Sequence, residues 1–223
     1  PLYSSAASDV YKRQNLVSAL QKNMVKFFAG GIDSAKKDYC SIANEHHFNR
    51  LQDALKNSVS AGAKIACGGE TSQSGLYLSP AVLIDVSYEN PIMQEEIFGP
   101  ILPVVKVKNL EESIDYVNKN EKPLALYLFS NKSSVHEKVL QNTSSGGMVI
   151  NDCVIHHMNP NLPFGGVNNS GVGSYHGKFG FDAFSHQKAV LKSSSLSTFQ
   201  ITVSYTNLRA NETPEHRGCR RLL

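Results

Sequence analysis

Apolar residues recur along this chain with helical and strand-like periods in turn, and the alternation predicts most of its elements. Leu16, Leu20, Met24 and Phe27 mark one face of a helix over 15–28, ended by Gly30-Gly31. Phe48, Leu51, Leu55 and Val59 mark a second helix, with Gly62 placed to cap its C-terminus. Lys64 to Cys67, Ala81 to Val86 and Ile101 to Val107 are short apolar runs rich in Val and Ile and bounded by Gly, Pro or Asn, so each predicts a strand. Asn109 and Glu112 then stand at capping-box spacing before a helix that buries Leu110, Ile114 and Val117. A strand at Leu124 to Phe129, a helix around Val135, Val139 and Leu140, and a strand at Met148 to Ile150 complete the pattern. Continuous apolar strands alternating with helices indicate parallel β/α/β crossovers. The expected fold class is α/β.

The 223 residues, 41% of them hydrophobic and 18% charged, suffice for a domain with a real core. No window approaches the run of about 20 apolar residues that a spanning helix needs. Four cysteines without a CxxC pair point to a reducing, cytoplasmic compartment rather than to a disulfide framework. The net charge of +3 comes from the ends, because the body between residues 14 and 202 holds 16 basic and 16 acidic residues. A neutral body is a poor match for a phosphate backbone, so no nucleic-acid partner is expected. Residues 1–14 and 202–223 show no periodicity and resemble translated adapter sequence, so the native body is expected over 15–201.

Candidate chemistry is sparse when read from residue types alone. The glycines at 165, 166, 171, 173, 177 and 180 do not follow a strand in dinucleotide-fingerprint order, and they read as a close-packed loop. His46-His47 and His156-His157 are adjacent pairs whose members point in different directions, and HExxH and GxSxG are absent, so no metal site or serine elbow is expected. Glu95-Glu96 before Ile97-Phe98-Gly99-Pro100 reads as an acidic turn leading into a buried strand.

In company, these segments say more. Gln94-Glu95-Glu96-Ile97-Phe98-Gly99-Pro100 resembles the signature segment of the aldehyde dehydrogenase superfamily. Glu121 to Tyr127, Thr143 to Gly147, Leu162 to Val167 and Gly173 to Gly177 resemble, in order and spacing, the class 3 branch that includes the fatty aldehyde dehydrogenases. The resemblance covers roughly 15–192 and implies the C-terminal part of that family's parallel-sheet catalytic domain, over 15–183. The segment 184–201 would hold an oligomerisation strand, Phe184 to Leu191, and a remnant of the native tail.

The implied activity is oxidation of an aldehyde to a carboxylic acid through a cysteine thiohemiacetal, with NAD or NADP as hydride acceptor. By resemblance Glu96 accepts hydrogen bonds from the nicotinamide ribose, and Phe98 packs beside the nicotinamide. Phe164 forms the aromatic wall of the aldehyde pocket, with Tyr175 and His176 near its mouth. Asn168 departs from the branch by standing where glycine is usual, which implies mild strain if that position has a positive φ. None of the four cysteines has the family's Gly-Gln-x-Cys context, so the nucleophile, the general-base glutamate and the dinucleotide-binding domain are expected upstream and the fragment itself is expected to be inactive. The intact enzyme would be a homodimer, and both cytosol and membrane surface stay open for it. The alternative is a short, non-catalytic paralogue serving interaction or oligomerisation.

Overall fold

The computed structural model describes residues 6–8, 10–28 and 39–192. The chain divides into two compact units, Pro1–Ser185 and His186–Leu223. In chain order the first unit holds β1 (Ala6–Ser8), α1 (Val10–Phe27), α2 (Glu45–Ser60), β2 (Lys64–Cys67), β3 (Thr71–Ser72), β4 (Tyr77–Leu78) and β5 (Ala81–Val86). It continues with β6 (Ile101–Lys106), α3 (Leu110–Lys119), β7 (Ala125–Leu128), α4 (Ser133–Asn142), β8 (Gly147–Ile150) and α5 (Gly177–Ala183). The class is mixed α/β. One sheet has the order β1-β6-β5-β2, and β7 pairs in parallel with β8 in another. The β5–β6 pair is parallel as the pattern predicts, β1, which the pattern does not predict, also runs parallel to β6, and edge strand β2 runs antiparallel to β5.

α2 shows how the sequence sets one of these elements. Asn44 caps its start by accepting from the His47 amide at 2.8 Å, and Gly62, at φ 103°, turns the chain just beyond its end. Its buried face is Phe48, Leu51, Leu55 and Ser58, and Val59, expected inside, is exposed because Ser58 takes the inward position. Ser58 is tolerated there because its hydroxyl donates to Ala54 O and its carbonyl accepts from Asn90 Nδ2. Phe48, Leu51 and Leu83 are fully buried in one cluster with Ile92, Ile97 and Ile101, each such side chain contributing roughly 1.5–3 kcal/mol. At α3, Asn109 accepts from the Glu112 amide as expected, but the Glu112 carboxylate reaches back to the Lys108 amide, one residue before the cap.

The start of the expected native body looks different in three dimensions. α1 begins at Val10 rather than Asn15, and Ala6–Ser8 pairs with Val104–Lys106 of β6. A parallel ladder is made of backbone groups, which side-chain periodicity does not report. Residues 186–192 carry no strand pairing with other described residues of the chain, as befits a segment, Phe184 to Leu191, expected to pair across a subunit boundary. A strand is stable only as part of a ladder, and none of the described residues supplies its partner edge. Gly30-Gly31 and residues 202–223 lie outside the described residues. No helix among the described residues is long and apolar enough to cross a membrane.

Candidate functional site

The loop joining β5 to β6 carries Glu96 and Phe98 and rests on α2. Ile92, Met93, Ile97 and Ile101 sink into the core, and this pins the backbone on both sides of Phe98-Gly99-Pro100. Gly99 is required because a Cβ there would sit 2.5 Å from a methyl of the buried Leu51. Beyond it, Pro100 O accepts from the Ala81 amide at 2.8 Å, which ties the loop to the start of β5. On the near side, Arg50 Nη2 donates to Ile97 O at 2.6 Å and Nη1 to Glu96 O at 3.3 Å. Arg50 Nε donates to His47 Nδ1 at 3.3 Å, and the Glu95 carboxylate lies 3.7 Å from Nη1.

The result is an open concavity of about 420 Å³ lined by His47, Arg50, Glu95, Glu96 and Phe98. Phe98 is held at φ 42° with 73% of its surface exposed, and its ring lies parallel to the His47 imidazole with centroids 6.1 Å apart. Glu96 is half-buried, and no described residue donates a hydrogen bond to its carboxylate. Two free acceptor oxygens beside an outward-facing aromatic ring suit a ligand that offers a vicinal diol and a flat ring. These two residues therefore fit the nicotinamide ribose and the nicotinamide of a dinucleotide.

The structure assembles Phe164, Tyr175 and His176 into a second group, built beside the β7–β8 pair. Phe164 and Tyr175 exchange backbone hydrogen bonds of 3.0 and 2.9 Å. The Phe164 ring stacks on His176 at 5.7 Å and meets Tyr175 edge-on at 5.7 Å. Glycines allow the close approaches, since a Cβ on Gly165 would meet Gly173 O at 2.1 Å and one on Gly146 would meet Gly165 O at 2.2 Å. Asn168 has φ 55°, the left-handed conformation expected of a glycine position, and asparagine tolerates it. The neighbouring Asn169 amide donates to Glu121 Oε1 at 2.6 Å.

Of the residues in these groups, Arg50 was not singled out in the sequence, and His47 and His156 were weighed there only as metal ligands. Arg50 and His47 are three apart on α2, a spacing that places them on one face, and this was the available signal. His156 fills the space over Gly147, where a Cβ would lie 2.8 Å from its ring, and contacts Phe164 at 5.4 Å and Tyr127 at 6.1 Å between centroids. Both of its ring nitrogens are buried without a hydrogen-bond partner. Among the described cysteines, Cys40 and Cys153 are exposed. The Cys67 thiol is pushed up by burial and sits 3.2 Å from Met24 Sδ, a poor setting for a nucleophile.

The fold is a mixed α/β domain with parallel strands that displays a half-buried carboxylate beside an exposed aromatic ring, and a separate aromatic cluster beside the β7–β8 pair. The family model for the aldehyde dehydrogenase family matches residues 6–190, and the chain belongs to that family. It is 46% identical over 82% of its length to a rat protein described as aldehyde dehydrogenase, dimeric NADP-preferring, covering 40% of that protein. It is 49% identical over 80% of its length to mouse aldehyde dehydrogenase family 3 member A2, covering 36% of it. A substrate-bound structure of Staphylococcus aureus AldH superposes with a TM-score of 0.81 at 36% identity, over 93% of this chain and 45% of that one. The chain thus spans about two fifths of the length of the curated relatives it matches.

Proposed function

We propose that these residues are the C-terminal part of an NAD(P)-dependent enzyme that oxidises an aldehyde to a carboxylic acid. The observation that carries this reading is the half-buried Glu96 carboxylate, which accepts from no donor among the described residues, set beside the outward-held ring of Phe98. Glu96 would accept from the ribose hydroxyls, and Phe98 would limit the swing of the nicotinamide. The dinucleotide, when bound, supplies the hydride acceptor. Phe164 would form the aromatic wall that holds an uncharged aldehyde while its carbon is attacked, with Tyr175 and His176 near the mouth of the pocket.

Attack by a cysteine thiolate forms a thiohemiacetal, and hydrolysis after hydride loss releases the acid, which divides one hard oxidation into easier steps. That cysteine and the general base lie outside residues 1–223 in this reading, so the chain alone turns over no aldehyde and binds the cofactor poorly. NAD and NADP are both compatible, and the name of the rat relative supports use of NADP and a homodimer of the intact enzyme. The segment 184–191 would then find its strand partner in the second subunit. A reducing cytoplasmic compartment suits a thiolate nucleophile.

Assaying the purified 223-residue chain with a medium-chain aldehyde and NAD or NADP, beside the product of the uninterrupted parent reading frame, tests the proposal. The longer protein should reduce cofactor and the chain should not exceed a heat-killed control. Turnover by the chain alone overturns the placement of the nucleophile. An inactive longer protein, or a parent frame that adds nothing upstream, favours the non-catalytic paralogue.

A further inference from the structure

We infer that Arg50 is a positioning residue: its guanidinium sets the backbone from which Glu96 and Phe98 project, and it is not an anion ligand of the cavity it lines. The inference rests on the reading of Glu96 and Phe98 as cofactor contacts. A cation in an open cavity ordinarily suggests a phosphate or carboxylate partner. Here each of the three guanidinium nitrogens already donates to the protein, Nη2 to Ile97 O at 2.6 Å, Nη1 to Glu96 O at 3.3 Å and Nε to His47 Nδ1 at 3.3 Å. The Glu95 carboxylate, 3.7 Å away, balances the charge, and the side chain is only 23% exposed.

What needs holding is Phe98. A non-glycine residue at φ 42° is strained and persists only where its surroundings over-determine it. The apolar half of that constraint is the contact of Gly99 with Leu51 together with burial of Ile97. The polar half is Arg50, whose planar fork takes the two successive carbonyls just before Phe98. His47 adds to the same platform twice, by accepting from Arg50 Nε and by stacking on the Phe98 ring. One face of α2, at positions 47, 50 and 51, is thus a template for the loop. Without the guanidinium the peptide units at 96 and 97 would lose their partners, Phe98 would relax to negative φ, and the Glu96 carboxylate would lose its aim.

Lysine keeps the charge but cannot fork across two carbonyls, so Arg50→Lys and Arg50→Gln separate charge from geometry. The test is nuclear magnetic resonance on the 223-residue chain. Backbone order parameters at residues 96–99 should fall from a rigid value of about 0.85 toward about 0.6 in both variants. The three-bond coupling of Phe98 should leave its positive-φ value, while Phe48 and Leu51 on α2 stay unchanged. Titration with nicotinamide mononucleotide, which carries the ribose diol and the ring, should shift the Glu96 and Phe98 amides about tenfold less effectively in Arg50→Gln. Unchanged order and coupling at 96–99 would overturn the inference. So would equal loosening at Phe48 and Leu51, which would make Arg50 a general fold contact. If the mononucleotide leaves Glu96 and Phe98 unmoved in the wild type, the ribose reading fails, and the order parameters still decide whether Arg50 sets the loop.

Discussion

The loop around Phe98 and the bend from Phe164 to His176 both present aromatic side chains at a solvent-facing edge, but different forces hold them. The first is a clamp of unlike parts, with a buried apolar anchor on each side of the exposed ring and a guanidinium fork on the backbone between. The second is held by backbone against backbone, since a Cβ on Gly165 or Gly166 would meet the carbonyl oxygen of Gly173 or Ser170 rather than a side chain. Side chains can shift a few tenths of an ångström and carbonyls in a ladder cannot, so the first region should yield under substitution and the second should break.

The same substitution in the two regions puts that difference to a test. In Gly165→Ala the new methyl would sit 2.1 Å from Gly173 O and 2.8 Å from Ser174 Cα, with no side chain able to move aside. A loss of about 3 kcal/mol is expected, read as a lower urea midpoint at unchanged m-value. In Gly99→Ala the methyl would meet only the Leu51 methyls, at 2.5 and 2.7 Å. Leu51 is buried but can turn about χ2, so about 1 kcal/mol is expected from the same measurement. Equal losses at the two glycines would remove the distinction between a yielding clamp and a rigid bend.

Much of this architecture was legible in the residues because periodicity reports burial. The strands at 64–67, 81–86 and 101–106 and the helices at 110–119 and 133–142 fall where the apolar pattern places them. The edge role of β2 was not legible, since an antiparallel edge strand and a parallel inner one carry similar runs of Ile, Ala and Cys. Nor was the pairing of Ala6–Ser8, which depends on backbone geometry alone. At the candidate site Glu96 and Phe98 drew attention only through the ordered motifs around them, because two carboxylates before a strand are chemically an acidic turn. Arg50 was missed because its partners are main-chain carbonyls some 46 residues away, and a carbonyl has no identity in a sequence. His156 drew notice only as a possible metal ligand, because a histidine with both ring nitrogens shielded reads in sequence like any other.

A smaller effect should reveal whether the yielding region also depends on the opening residues of the chain. Asp85, on the strand that leads into the Phe98 loop, pairs with Lys64 of β2 at 3.0 Å and with Arg13 of α1 at 2.8 Å. Hydrogen bonds from Lys64 first and Arg13 second hold its carboxyl below the ordinary aspartate value. A carboxyl lowered on folding stabilises the fold above its unfolded pKa of about 4, and that contribution is lost as pH falls through the lower folded value. The pair is more than a third exposed on the Asp85 side, so solvent screening limits it to about 0.5 kcal/mol at neutral pH. Asp85→Asn should therefore lower the thermal midpoint slightly at pH 7, and the difference should shrink below pH 4 and with added salt. Arg13→Gln should reproduce part of the loss with the same pH dependence. If it changes nothing while Asp85→Asn does, α1 is not anchored through this pair, and the clamp around Phe98 stands independently of residues 10–14.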